Sequence, residues 1–148
     1  MASVAAPFAL LVALLNAAAA AAGAWRWWRG LPPAPSFWWL VRAGQAAAVV
    51  LAALAGVLAL TGERPGDGLF WLYVALPPAV ALIAEQLRIA SAQAELDARG
   101  LPDAQAMRGL AQDEQHAIVA AILRREMVVM TCACGVVVFL ALRAAGTA

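Results

Sequence analysis

Residues 85–126 read EQLRIASAQAELDARGLPDAQAMRGLAQDEQHAIVAAILRRE and hold seven of the chain's nine acidic residues and half of its ten basic ones. Both flanks are apolar: residues 69–84 precede the stretch and residues 127–142 follow it, 16 residues each. At 1.5 Å per residue each flank makes about 24 Å of helix, so the two meet their first charges, Glu85 and Glu126, at one level. Beyond that level, residues 85–99 and 113–126 form arms of 15 and 14 residues, projecting about 21 Å. Two segments that match in both spanning and projecting length predict a helical hairpin. Two helices leave the bilayer together and continue side by side.

The arms carry helical patterning of their own. Glu85 with Arg88, and Glu95 with Arg99, have the spacing of ion pairs on one helix face. Leu87, Ala90, Ala94 and Ala98 form a narrow apolar stripe at helical spacing. Gly100-Leu101-Pro102 ends the first arm, a glycine cap followed by a residue that cannot continue a helix. The linker has room for one short helix over residues 103–108. Asp113 is placed to cap the final helix, which carries Ile118, Val119, Ile122 and Leu123 before Arg124-Arg125-Glu126.

Composition agrees with a lipid environment. Of 148 residues, 65% are hydrophobic and 13% charged, and the mean hydropathy is +0.81. A soluble domain is nearer half apolar and about a quarter charged. A surplus this large cannot be hidden in so small a core, so lipid is expected to cover much of it. A net charge of +1 excludes a nucleic-acid partner recruited by bulk charge. One domain, residues 1–148, is expected, with spans near residues 4–24, 37–61, 69–88 and 124–143.

The first span is apolar apart from Asn16. Met1-Ala2-Ser3 carries no arginine or lysine, so the segment reads as a retained span and not a signal peptide. Asn16, at mid-helix, is expected to hydrogen-bond another helix. Trp25, Trp27, Trp28, Trp38 and Trp39, with Trp71 and Tyr73 of the third span, form an interfacial aromatic belt, since these rings favour the headgroup layer. The prolines at 32, 33 and 35 make the first connection a short stiff turn. In the second span Arg42 is shallow enough to snorkel. Gly44 with Ala48, and Ala52 with Gly56, offer small residues for close helix contact. Pro77-Pro78 stands within the third span, where it is expected to kink the helix or free carbonyls.

Four spans put the first and third connections on one side. That side holds Arg26, Arg29, Arg42, Arg88, Arg99, Arg108, Arg124 and Arg125, against Arg64 and Arg143 on the other. The imbalance places the hairpin in the cytoplasm of a plasma-membrane protein, with both termini extracytoplasmic.

The candidate site is a charge cluster at the inner interface: Arg42, Glu85, Arg88, Arg124, Arg125 and Glu126. It would serve as a site for a lipid headgroup, an anionic ligand or a protein partner, or carry a proton on Glu85. The plain alternative is a positive-inside collar neutralised by glutamates. His116 is the only histidine, and no further ligands stand in register with it and Asp113. Cys132 and Cys134, about 200° apart on a helix, read as buried packing residues. Ser3, Ser36 and Ser91 lack a nearby base, and the turn at residues 66–68 lacks a phosphate-binding lysine. No catalytic, cofactor or metal set emerges.

The expectation is therefore an all-α, integral membrane four-helix bundle whose third and fourth helices extend as a cytoplasmic hairpin. It would be a non-enzymatic accessory or scaffold subunit, its partner another protein or a further copy of itself. The alternatives are a small oligomeric transporter or channel using Pro77-Pro78 and Glu85, and an enzyme acting on lipid headgroups.

Overall fold

The computed structural model describes residues 2–148. Its α-helices are α1 (Ala2–Trp28), α2 (Pro35–Leu60), α3 (Phe70–Asp97) and α4 (Gln112–Thr147), with one 3₁₀ turn, Ala106–Gly109, before α4. The described residues contain no strand. Each of the four α-helices is long and apolar enough to cross a membrane. That length and apolarity are those of a membrane protein's spans.

The helices pack in sequence order around a ring. α1 lies against α2 and α4, and α3 lies against α4 and α2. The seams along α4 are the most extensive, and the seam between α2 and α3 is the thinnest of the four. Two buried clusters fill the ring. One, built on Ala9, Val12, Leu51, Phe70, Val74 and Ala141, lies toward the α2–α3 turn. The other, built on Phe37, Val41, Ala84, Met127 and Met130, lies toward the charged end. Leucines on the outer faces stay uncovered, with Leu14 67% and Leu82 70% exposed, as expected where lipid replaces water as the neighbour.

Close approach between the clusters depends on small residues. Gly44 is buried against the side chain of Asn16, whose Nδ2 lies 2.7 Å from where a Cβ would stand. The Asn16 amide donates to the carbonyl of Val12, 2.9 Å away in its own helix. This corrects the expected bond between helices: with glycine opposite, no acceptor side chain is available across the seam. Gly44 and Ala48 are buried, and Ala52 packs against the core, but Gly56 has nothing within 4 Å of a Cβ.

The helix ends share one device. Gly100 has φ +70°, the Leu101 N–H donates to the Leu96 carbonyl at 3.0 Å, and the Gly100 N–H donates to that of Asp97 at 3.0 Å. This pair of bonds satisfies carbonyls that the helix leaves open, and the left-handed residue favours glycine. The same bonding recurs after α1 at Gly30 and after α2 at Gly62. α1 consequently runs on through Trp25, Arg26, Trp27 and Trp28 before it turns.

As expected, Pro77 and Pro78 withhold N–H groups from the carbonyls of Tyr73 and Val74, and α3 runs on through them without a break. Val74, Pro77 and Ala84 are buried on both sides of the pair. Two further expectations are corrected. The residue at the N-cap of α4 is Ala111, and Asp113 lies inside the first turn with Glu114, where both carboxylates face the positive end of the helix dipole. In the linker the 3₁₀ turn starts later than residue 103, and Asp103 serves as its anchor by accepting from the Ala106 N–H at 2.9 Å.

Candidate functional site

Arg42 and Gln45 lie three residues apart on α2 and turn toward α3. Arg42 Nη1 donates to Glu85 Oε1 at 2.6 Å and to Gln45 Oε1 at 2.7 Å, while Gln45 Nε2 donates to Glu85 Oε1 at 3.1 Å. On the other side of Glu85, Arg88 Nε lies 3.1 Å from Oε2, an ion pair without the alignment of a hydrogen bond. Arg88 then reaches α4, with Nη1 3.7 Å from Glu126 Oε2. Its guanidinium also sits over the ring of Trp38, 5.7 Å from the centroid. The result is a ladder, Arg42–Glu85–Arg88–Glu126, that crosses three helices with two cations matched by two carboxylates.

Arg124 and Arg125 do not join that ladder, contrary to the single cluster expected. Both are exposed. Arg125 Nε pairs instead with Glu95 Oε2 at 3.3 Å. Glu95 also receives Arg99, whose Nη2 is 2.9 Å from Oε1. One carboxylate thus faces two arginines. Arg124 has no carboxylate within ion-pair distance among the described residues.

Beyond the ladder α3 and α4 stay in contact. Leu96 and Ile118 are buried, and Glu95–Arg125 ties the two helices together. The side of α3 that meets α4 carries Ala84, Arg88, Ser91, Glu95 and Leu96, all of reduced exposure. The stripe of Leu87, Ala90, Ala94 and Ala98 is exposed and turned away.

The aromatic belt divides in two. Trp25, Trp27, Trp28, Trp39 and Trp71 are exposed. Trp38 and Tyr73 are half-buried, each beneath an arginine, with Arg143 5.6 Å from the Tyr73 centroid. Both cysteines are free thiols; Cys134 is buried, but Cys132 is exposed, a correction that follows from their opposed directions on one helix. His116 is exposed, and no group of three His, Cys, Asp or Glu side chains among the described residues could hold a metal ion.

Sequence reasoning passed over Gln45 and gave Glu95 only its partner in the same helix. Gln45 had one legible signal: it is a polar residue in an apolar span, three residues from Arg42. Nothing in the spacing of α3 alone could have announced that Glu95 answers to α4 as well.

Two cavities adjoin these charges. One of about 410 Å³ lies between α2 and α3, with Arg42, Gln45 and Glu85 at its polar end and Val49, Pro78 and Leu82 along its wall. The other, about 530 Å³, lies between α1, α3 and α4 beside Arg124 and Arg125. An all-helical bundle with four membrane-spanning candidates and a charge ladder at one end defines the class of this protein. Comparison with protein-family models, with curated proteins and with solved structures gives no match to this chain.

Proposed function

We propose that the protein is a non-enzymatic, multi-pass component of the plasma membrane, whose α3 and α4 continue into the cytoplasm as a hairpin that docks a partner. The arginine imbalance supports this orientation, with eight on the hairpin side and two on the other. One observation carries the docking role. Glu95–Arg125 and the buried Leu96 and Ile118 already fasten the two arms to each other, yet Leu87, Ala90, Ala94 and Ala98 stay uncovered. Small residues four apart let a second helix approach closely. The stripe runs on from the lipid-facing Ile83, so the partner is a helix that leaves the same bilayer alongside α3.

A second reading, a small oligomeric transporter or channel, has the α2–α3 cavity in its favour, because Glu85 and Pro78 both line it. Against it, Glu85 is held by Arg42, Arg88 and Gln45 at once. One comparison separates the two. A photo-cross-linker at Ala94 in the native membrane should give a single adduct, lost on Leu87→Glu and kept on Glu85→Gln. The adduct's mass distinguishes a second copy from a different subunit. Solute flux in liposomes that disappears with Glu85→Gln, with no adduct at Ala94, would establish the transporter instead.

A further inference from the structure

The cavity beside Arg124 has a charged mouth and an apolar floor. Ser91 and Glu95 of α3 and Arg124 and Arg125 of α4 surround the mouth, and Trp27 of α1 closes one wall. Trp27 and Val128 also line a second space of about 160 Å³, which continues along α4 to Thr131 and Cys132. The step from residue 128 to 132 is about 6 Å of helix, directed into the apolar run. The hydroxyl of Thr131 donates to the Met127 carbonyl at 2.7 Å, so the deeper space offers no free donor.

Polarity therefore changes across two adjoining spaces that share Trp27 and Val128 and together make a groove, from arginines in the first to apolar side chains in the second. That is the order of groups in a phospholipid lying in a leaflet. The charge is unbalanced in the same sense: Glu95 is shared by Arg99 and Arg125, and Arg124 has no acidic partner among the described residues. The α2–α3 cavity lacks this property, because its arginine is already matched by Glu85.

We infer that this groove holds one anionic phospholipid, with its phosphate on Arg124 and an acyl chain against Trp27 and Val128. The inference depends on residues 127–142 crossing a bilayer, and it is independent of the docking role. A zwitterionic lipid would bring a quaternary amine toward two arginines, whereas an anionic one meets them with net negative charge. Arginine at a membrane surface contributes about 1 kcal/mol toward anionic lipid, which corresponds to about fivefold in retention.

The test uses the full chain in mild detergent with an equimolar mixture of phosphatidylglycerol and phosphatidylcholine of matched chains, read by native mass spectrometry. One phosphatidylglycerol per chain should be retained preferentially. Arg124→Gln should lower that retention about fivefold and leave phosphatidylcholine unchanged. Arg29→Gln removes an equal charge at the same end, from a side chain stacked on Trp25, and should change neither. Val128→Trp, which fills the floor, should lower retention without altering charge. Equal retention of the two lipids, an Arg29→Gln effect as large as that of Arg124→Gln, or an unaffected Val128→Trp would each overturn the assignment. Displacement of the lipid by soluble glycerol 3-phosphate would reassign the mouth to a free phosphate ester.

Discussion

Gly23 lies where three helices converge. A Cβ there would collide with the Thr131 hydroxyl of α4 and come 2.7 Å from the Phe37 ring at the start of α2. Neither neighbour can give way easily, since the Thr131 hydroxyl is bonded to Met127 and Phe37 is fully buried. Gly23→Ala should therefore destabilise the bundle by about 1–3 kcal/mol. Gly56→Ala, which meets only open space, should stabilise it by roughly 0.5–1 kcal/mol, the helix-propensity difference. Thermal unfolding in detergent, followed by circular dichroism, would show opposite shifts in Tm. The importance of Gly23 was not legible in the sequence, because its neighbours in space are more than a dozen residues away in the chain. That Cys132 and Cys134 must face different surroundings was legible from spacing, but which of them turns inward was not.

At the scale of elements, the boundaries that sequence made readable were those set by the backbone itself. Gly100 needs a positive φ to close α3, and its signature of glycine, leucine and proline states as much. At Pro77-Pro78 the loss of two hydrogen bonds was legible because it is local, whereas the burial of Val74 and Ala84 that goes with an unbroken helix is tertiary. The stripe over residues 87–98 showed which side of α3 is apolar, but not whether it faces α4. Arg88, Ser91 and Glu95 occupy that position instead, since ion pairs to α4 fix the rotation of the arm. Glu95–Arg125 should accordingly show a coupling energy of about 0.5 kcal/mol in a double-mutant cycle with Glu95→Gln and Arg125→Gln. The cycle can be read from the denaturation midpoint of the purified protein. No coupling would mean that burial of Leu96 and Ile118 suffices to set the rotation.

For the whole molecule, orientation is the property with the clearest experimental answer. With Cys132 and Cys134 replaced by serine, Ala98→Cys and Gln112→Cys should resist a membrane-impermeant maleimide in intact cells and react after lysis. Gly66→Cys, in the turn where the Asp67 N–H donates to the Thr147 carbonyl at 3.2 Å, should react in both. The reverse pattern would invert the molecule and place the extended helices outside. That four segments are long and apolar enough to span was plain from hydropathy alone. Their arrangement as a ring, in which α2 meets α3 least, emerges only when side-chain sizes are packed together.

Glu85 is matched by Arg88 within α3, and Glu95 by Arg99 just past the end of that helix. That helix therefore emerges from the ribosome with its counter-ions already aboard. Both of these carboxylates have a cation before any of α4 has been translated. The pairs to Arg42, Glu126 and Arg125 then act as late fasteners, which select the neighbours of a helix whose own charges are already answered.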